Sequence, residues 1–220
     1  MFDFAAARRM MVDGQVRTSD VTDPRIIAAM LDLPRERFVP EHNAALAYLD
    51  LDVAVTSETP ARRLLKPMVL AKLIHAAEIG AQDRVLDVAC GTGYSSALLA
   101  RLARRVVALE EDATLARHAR ENLAALAAAN AEVVTGPLPD GWQAGAPYDV
   151  ILINGAVEKA PERLLRQLAE GGRLVGIVGR PPASKAVRYL ATAGQASALP
   201  IFDAAAPPLP GFAEPPAFVF

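Results

Sequence analysis

The stretch Arg84-Val85-Leu86-Asp87-Val88-Ala89-Cys90-Gly91-Thr92-Gly93-Tyr94 decides the fold of this 220-residue chain. Arg84 to Val88 reads as a short strand, and the Gly-x-Gly turn after it runs into Ser95 to Ala103, whose composition predicts a helix. Glycines placed there let the backbone approach a ligand closely at the carboxyl edge of a parallel sheet.

The same rhythm continues downstream. Arg105 to Leu109 predicts a strand, Asp112 to Ala128 a helix, and Glu132 to Val134 and Tyr148 to Ile153 two further strands. A helix around Pro161 to Ala169 and a strand at Gly172 to Val178 follow. This alternation predicts an α/β fold, a Rossmann-like seven-stranded and mostly parallel sheet with helices on both faces. The terminal strands are expected at Val187 to Leu190 and Ala217 to Phe220.

Upstream, residues 5 to 17 have loosely helical apolar spacing, as core packing or a dimer contact would need. Asp23-Pro24 reads as an N-cap with proline at the first helical position, and periodicity returns from Lys66 to Glu78. The chain thus divides into a helical N-terminal extension (1–80) that contributes to the active site, a ligand-binding core (81–202) and a Pro/Ala-rich C-terminal arm (203–220). Residues 203 to 216 exclude a helix or central strand. They read as an extended surface arm, with a lip over the site or a partner contact as the functional alternative.

With 52% hydrophobic and 22% charged residues, the chain can bury a substantial core. Lys plus Arg total 23 against 25 for Asp plus Glu, so overall charge gives no reason to expect nucleic acid or an acidic membrane as partner. The single cysteine, Cys90, cannot form an internal disulfide and lacks metal-ligand spacing, which points to the cytoplasm. Arginines follow only a very short apolar stretch at the N-terminus, the reverse of a secretory signal, and no run is long enough to span a membrane. His42, His75 and His118 lie far apart, so no metal site is expected.

Asp87 at the end of the first strand can accept from a cationic amino group. Glu110, at the end of the next strand, is placed to take both hydroxyls of a ribose, with Glu111 as the neighbouring alternative. Serine stands where a dinucleotide fingerprint has its third glycine, and Asp87 would repel a pyrophosphate. A zwitterionic sulfonium gains from that carboxylate, so the expected cofactor is S-adenosylmethionine, leaving as S-adenosylhomocysteine.

These residues resemble the class I methyltransferases and, within them, the protein-L-isoaspartate O-methyltransferase family. Arg35-Glu36-Arg37-Phe38-Val39-Pro40 with Ala47-Tyr48-Leu49-Asp50 is similar to the family's N-terminal signature, and Asp87 to Ala100 to its glycine motif. Gly141-Trp142, Ala146 to Ile151, Pro161, Leu164-Leu165 and Gln167 to Val175 resemble its later blocks in order and spacing. The resemblance implies adenosylmethionine-dependent methyl transfer to the carboxylate of isoaspartyl residues in damaged peptides or proteins, the first step of their repair. It assigns Asp87, Ala89, Gly91, Gly93, Tyr94, Glu110, Glu111, Pro137 and Leu138 to the cofactor.

Three places depart from the family pattern. Arg63-Leu64-Leu65-Lys66-Pro67 stands where the family has Thr-Ile-Ser-Gln-Pro, so Leu65 takes the position of the serine that helps hold the acceptor carboxylate. Gly136-Pro137-Leu138 replaces Gly-Asp-Gly, with Asp140 three residues beyond the missing acid. Ile153-Asn154-Gly155-Ala156 replaces Val-Thr-Ala-Ala. Arg62, Arg63 and Lys66 flank Leu65 and are either donors to an acceptor carboxylate in place of the hydroxyl or solvated surface charges. A carboxylate acceptor is already ionised at neutral pH and needs no general base, so losing the serine removes a positioning contact. Two alternatives stay open at this level: a methyltransferase with another acceptor, and a non-catalytic cofactor-binding or scaffold relative.

Overall fold

The computed structural model describes residues 2–58 and 61–213. Helix α1 (Phe4–Met11) starts at Asp3, whose carboxylate accepts from the Ala6 amide, and continues through a π-helical turn (Val12–Val16) and a 3-10 turn (Arg17–Ser19). Its stripe of Ala7, Met11, Val12 and Val16 is buried in the core. Helix α2 (Pro24–Asp32) starts as the sequence predicts, with Asp23 accepting from the Arg25 amide and proline at the first turn. Strands β1 (Val53–Ala54) and β2 (Arg63–Leu64) form a small antiparallel ribbon that leads into α3 (Pro67–Ala76).

The alternating units follow: β3 (Arg84–Val88), α4 (Tyr94–Ala100), β4 (Arg105–Glu110), α5 (Ala113–Ala125), β5 (Ala131–Thr135), β6 (Tyr148–Val157), α6 (Glu162–Leu165), β7 (Leu168–Val178), β8 (Lys185–Thr192) and β9 (Gln195–Asp203). They build a seven-stranded sheet in the order β5-β4-β3-β6-β7-β8-β9. The pairs from β5 to β7 are parallel, and those of β8 are antiparallel. Strand order reverses between β3 and β6, so the crevice of the open sheet lies at the carboxyl ends of these two strands.

The two sheet faces are covered unequally. Val85, Val106, Val150 and Val175 pack with α1 to α4 in one continuous core. Leu86, Leu109, Ile151 and Leu174 on the other face pack under Leu138, Leu164 and Leu209, from a 3-10 turn, α6 and the C-terminal arm.

Two expectations need correction, and a third lies outside the described residues. The helix foreseen from Pro161 to Ala169 is only α6, because Leu168 already pairs with Tyr148 and the chain enters β7 early. The seventh strand is β9, whereas the segment expected to supply it, Ala217 to Phe220, lies outside the described residues. Gln195 to Pro200 lacks an alternating pattern. Its pairing comes from the two-residue turn Ala193-Gly194, both with positive φ, and Pro200 is tolerated on an edge strand beside a bulge. The arm, finally, is docked: the Ala156 amide donates to the Pro207 carbonyl and the Leu209 amide to the Ala156 carbonyl, each at 2.9 Å. Leu209 is buried against Gly155, where a Cβ would come within 2.5 Å of its side chain.

Candidate active site

The turn after β3 is held from all sides. Ala89, Gly91 and Gly93 have positive φ, and a Cβ on Gly93 would meet the Ala119 Cα of α5 at 3.3 Å. The Cys90 amide donates to the Leu109 carbonyl of β4, Thr92 Oγ1 donates to the Phe38 carbonyl at 2.6 Å, and Asn122 Nδ2 donates to the Thr92 carbonyl. The glycine turn is thereby fastened to the N-terminal extension and to α5.

Asp87 and Glu110 end adjacent parallel strands, and both are fully buried. Ser95 Oγ and Ser96 Oγ donate to Asp87 Oδ2, while Asn154 Nδ2 donates to Asp87 Oδ1 at 2.6 Å. Burial pushes the Asp87 carboxyl up to about 6, against these hydrogen bonds, which favour the ion. Asn154, which differs from the family pattern, also donates to the Val88 carbonyl and bridges β3 to β6 at the switch point.

Glu110 accepts from the Gly91 amide at 2.8 Å and from the Glu111 and Asp112 amides. It also takes both guanidinium nitrogens of Arg62, Nη1 at 2.8 Å and Nη2 at 2.9 Å. Arg62, a candidate donor to an acceptor carboxylate in the sequence, is thus paired with Glu110. Burial raises the Glu111 pKa, while the charge of the Arg62 guanidinium acts against the shift. Pro137 is exposed and Leu138 is buried in the core. Asp140, the acid nearest the missing one, pairs with Arg163.

In the segment that departs from the family pattern, Leu65 is buried, and its carbonyl accepts from Arg35 Nη2 at 2.6 Å. The Lys66 amide donates to Asp52 Oδ1, and exposed Arg63 donates to the Asp52 carbonyl. Tyr94 points away from the turn into the extension, edge-on to Phe38 and under the Arg35 guanidinium, 4.7 Å from its ring centroid. Sequence reasoning gave Arg35 no role. It is fully buried and donates to the Ala47 and Leu65 carbonyls. Its signal was visible only as a charged residue inside an otherwise apolar family signature.

A cavity of about 10 Å³ is lined by Leu64, Leu65, Ala89, Gly91 and Asn154. A roomier cleft of about 410 Å³ lies elsewhere, between α6 and the arm, lined by Pro139, Arg163, Arg166 and Phe212.

A mostly parallel sheet whose strand order reverses beside a glycine turn, with acids closing both adjacent strands, defines a Rossmann-like methyltransferase. Residues 7–197 match the family model described as protein-L-isoaspartate(D-aspartate) O-methyltransferase. This chain belongs to that family. It is 36% identical over 204 residues to the protein-L-isoaspartate O-methyltransferase of Methanoculleus marisnigri, covering 93% of this chain and 91% of that one. With the Methanoregula boonei protein of the same name it shares 40% over 172 residues, 78% of each chain. Among solved structures, a protein-L-isoaspartate O-methyltransferase superposes with TM-score 0.81 at 23% identity, over 93% of this chain and 66% of that one. A Plasmodium falciparum protein described by the same activity, in complex with S-adenosyl-L-homocysteine, gives 0.78 at 17% identity over 95% and 99%. At these identities the structural matches speak for the fold.

The donor set fits adenosylmethionine chemically. Two carboxylates close the strands beside the turn, and Gly91 has open space off its Cα. Among the described residues no group of His, Cys, Asp and Glu is arranged to hold a metal, and no helix is long and apolar enough to cross a membrane.

Proposed function

We propose that this protein transfers a methyl group from S-adenosylmethionine to the side-chain carboxylate of L-isoaspartyl residues in damaged proteins. The observation that carries this reading is the extent of the family match, which runs over residues 7–197 and includes the acceptor-side segment 63–67 as well as the glycine turn. When bound, the cofactor supplies a methyl group already activated by its sulfonium, so the protein's task is alignment and exclusion of water.

The chain's own residues divide that task. Gly91 and Gly93 let the backbone lie close to the ligand, and Glu110 offers a carboxylate for ribose hydroxyls. Glu111, with Pro137 and Leu138, borders the adenine end. Asp87 holds Ser95, Ser96 and Asn154 and so sets the shape of the turn. On the acceptor side, Arg35 fixes the backbone at Leu65, and Arg63 and Lys66 are the cations nearest the altered position. The substrate is an isoaspartyl-containing peptide or protein, and the site of action is the cytoplasm. Residues 1–80, 81–202 and 203–220 act as extension, cofactor core and arm.

Incubation with methyl-labelled adenosylmethionine and an isoaspartyl peptide should yield a base-labile methyl ester, and the matching aspartyl peptide should not. Label on neither peptide, under conditions where the protein binds S-adenosylhomocysteine, would count against this acceptor. Leu65 in place of a hydroxyl favours a second reading, a different acceptor, which a screen of small carboxylic acids, amines and phenols would reveal.

A further inference from the structure

Glu110 is the carboxylate on which ribose recognition depends, and it has no acceptor position to spare. A carboxylate offers about four lone-pair directions, whereas five N–H donors already reach this one: two from Arg62 and one each from the Gly91, Glu111 and Asp112 amides. The three amides belong to the turn and the strand end and cannot leave without dismantling them. Arg62 can leave. It is anchored through its backbone to Thr56, and its side chain retains partial access to solvent while Glu110 has none.

The same segment closes the neighbouring space. Leu64 and Leu65, two and three residues on, line with Ala89 and Gly91 a cavity of about 10 Å³, room for roughly one water molecule. That cavity is far too small for a ligand as large as adenosylmethionine.

We propose that Arg62 is an internal competitor for the cofactor: its guanidinium occupies the ribose-binding face of Glu110, and cofactor binds only to the fraction of molecules in which this pair has opened. The inference rests on the adenosylmethionine reading above. Arg62 thus sets cofactor affinity, because a site that is competent only part of the time binds more weakly by that fraction. Two N–H···O bonds from a planar guanidinium to a shielded carboxylate make the closed form the favoured one. Ribose hydroxyls replace those donors when the cofactor enters, and Arg62 returns to solvent.

Calorimetric titration of Arg62→Gln with S-adenosylhomocysteine tests this, with Arg117→Gln on the exposed face of α5 as the surface control. The expected result is a dissociation constant roughly tenfold lower for Arg62→Gln and unchanged for the control, the open fraction no longer being limiting. The same gain is expected with 5′-methylthioadenosine, which keeps the ribose hydroxyls and lacks the amino-acid end. Equal or weaker binding by Arg62→Gln, or a gain confined to S-adenosylhomocysteine, would overturn the competition at Glu110 while leaving the cofactor reading intact. Binding by neither wild type nor variant would overturn the cofactor reading itself. A thermal melt of each variant without ligand checks folding, and Arg62→Lys, which keeps the charge but not the paired geometry, should fall between the two.

Discussion

Asp87 is an acid kept away from water by its own fold, and its stability contribution has a definite sign. Burial raises its folded-state pKa from the ordinary 3.8 to about 6, so between these values the folded protein holds a proton that the unfolded chain releases. The stabilisation is complete below about pH 4 and is lost as pH rises through about 6. Relative to Asp87→Asn, wild type should lose about 2 kcal/mol between pH 4 and pH 7. Denaturant midpoints of both proteins across that range measure it, and a constant gap would mean that the carboxyl is not perturbed. Gly93 is constrained differently: φ is 95°, and a Cβ would press on the backbone of Ala119. Gly93→Ala should cost about 1–3 kcal/mol in chemical denaturation, because neither the turn nor α5 can give way.

At the scale of elements, the site depends on how strands end and helices begin. The chain leaves β4 at Glu110 and starts α5 three residues later, with Asp112 accepting from the Thr114 and Leu115 amides at 2.7 and 2.9 Å. The Asp112 amide meanwhile donates to Glu110, so one residue caps the helix and helps to fix the carboxylate proposed to bind the cofactor. Asp112→Ala should destabilise the protein by about 1 kcal/mol, the ordinary loss for an N-cap. Its backbone bond to Glu110 should survive, so the affinity for S-adenosylhomocysteine, measured by titration, should change little. The cap, the proline start of α2 and the β3-turn-α4 unit were all legible in the sequence because each is written in adjacent residues. The short α6 and strand β9 were not, since the first is cut off by pairing with β6 and the second is defined only by its partner β8.

For the molecule as a whole, the extension and the core are one body of packing. Arg35 ties the backbone of Ala47 to that of Leu65 and stacks on Tyr94 from the glycine helix, so the segment at Leu65 and the glycine turn share one support. Leu65→Ser places a hydroxyl where the family has one while Arg35 keeps the backbone in place. The expected outcome is a higher rate of isoaspartyl methylation, up to on the order of 10²-fold if the missing contact limits alignment. Emptying a buried leucine site should lower stability by about 2–4 kcal/mol. Initial rates with an isoaspartyl peptide and a melting curve test both parts. An unchanged rate in a folded variant would show that Leu65 does not limit the reaction.

The sequence by itself determined the parallel α/β core, the place of the glycine turn, the acids that close β3 and β4, and the departures at Leu65 and Pro137. All of these are carried by neighbouring residues, where periodicity, turn chemistry and motif spacing act. The tertiary structure alone decided what those acids touch. Arg62 and Glu110 stand 48 positions apart, and Asn154 and Asp87 stand 67 apart. The sequence left Arg62 as a candidate for the acceptor carboxylate; the fold instead sets it on Glu110. The physical reason is that a charged side chain's partner is fixed by which strand ends converge at the sheet edge, and that convergence exists only once the chain has folded.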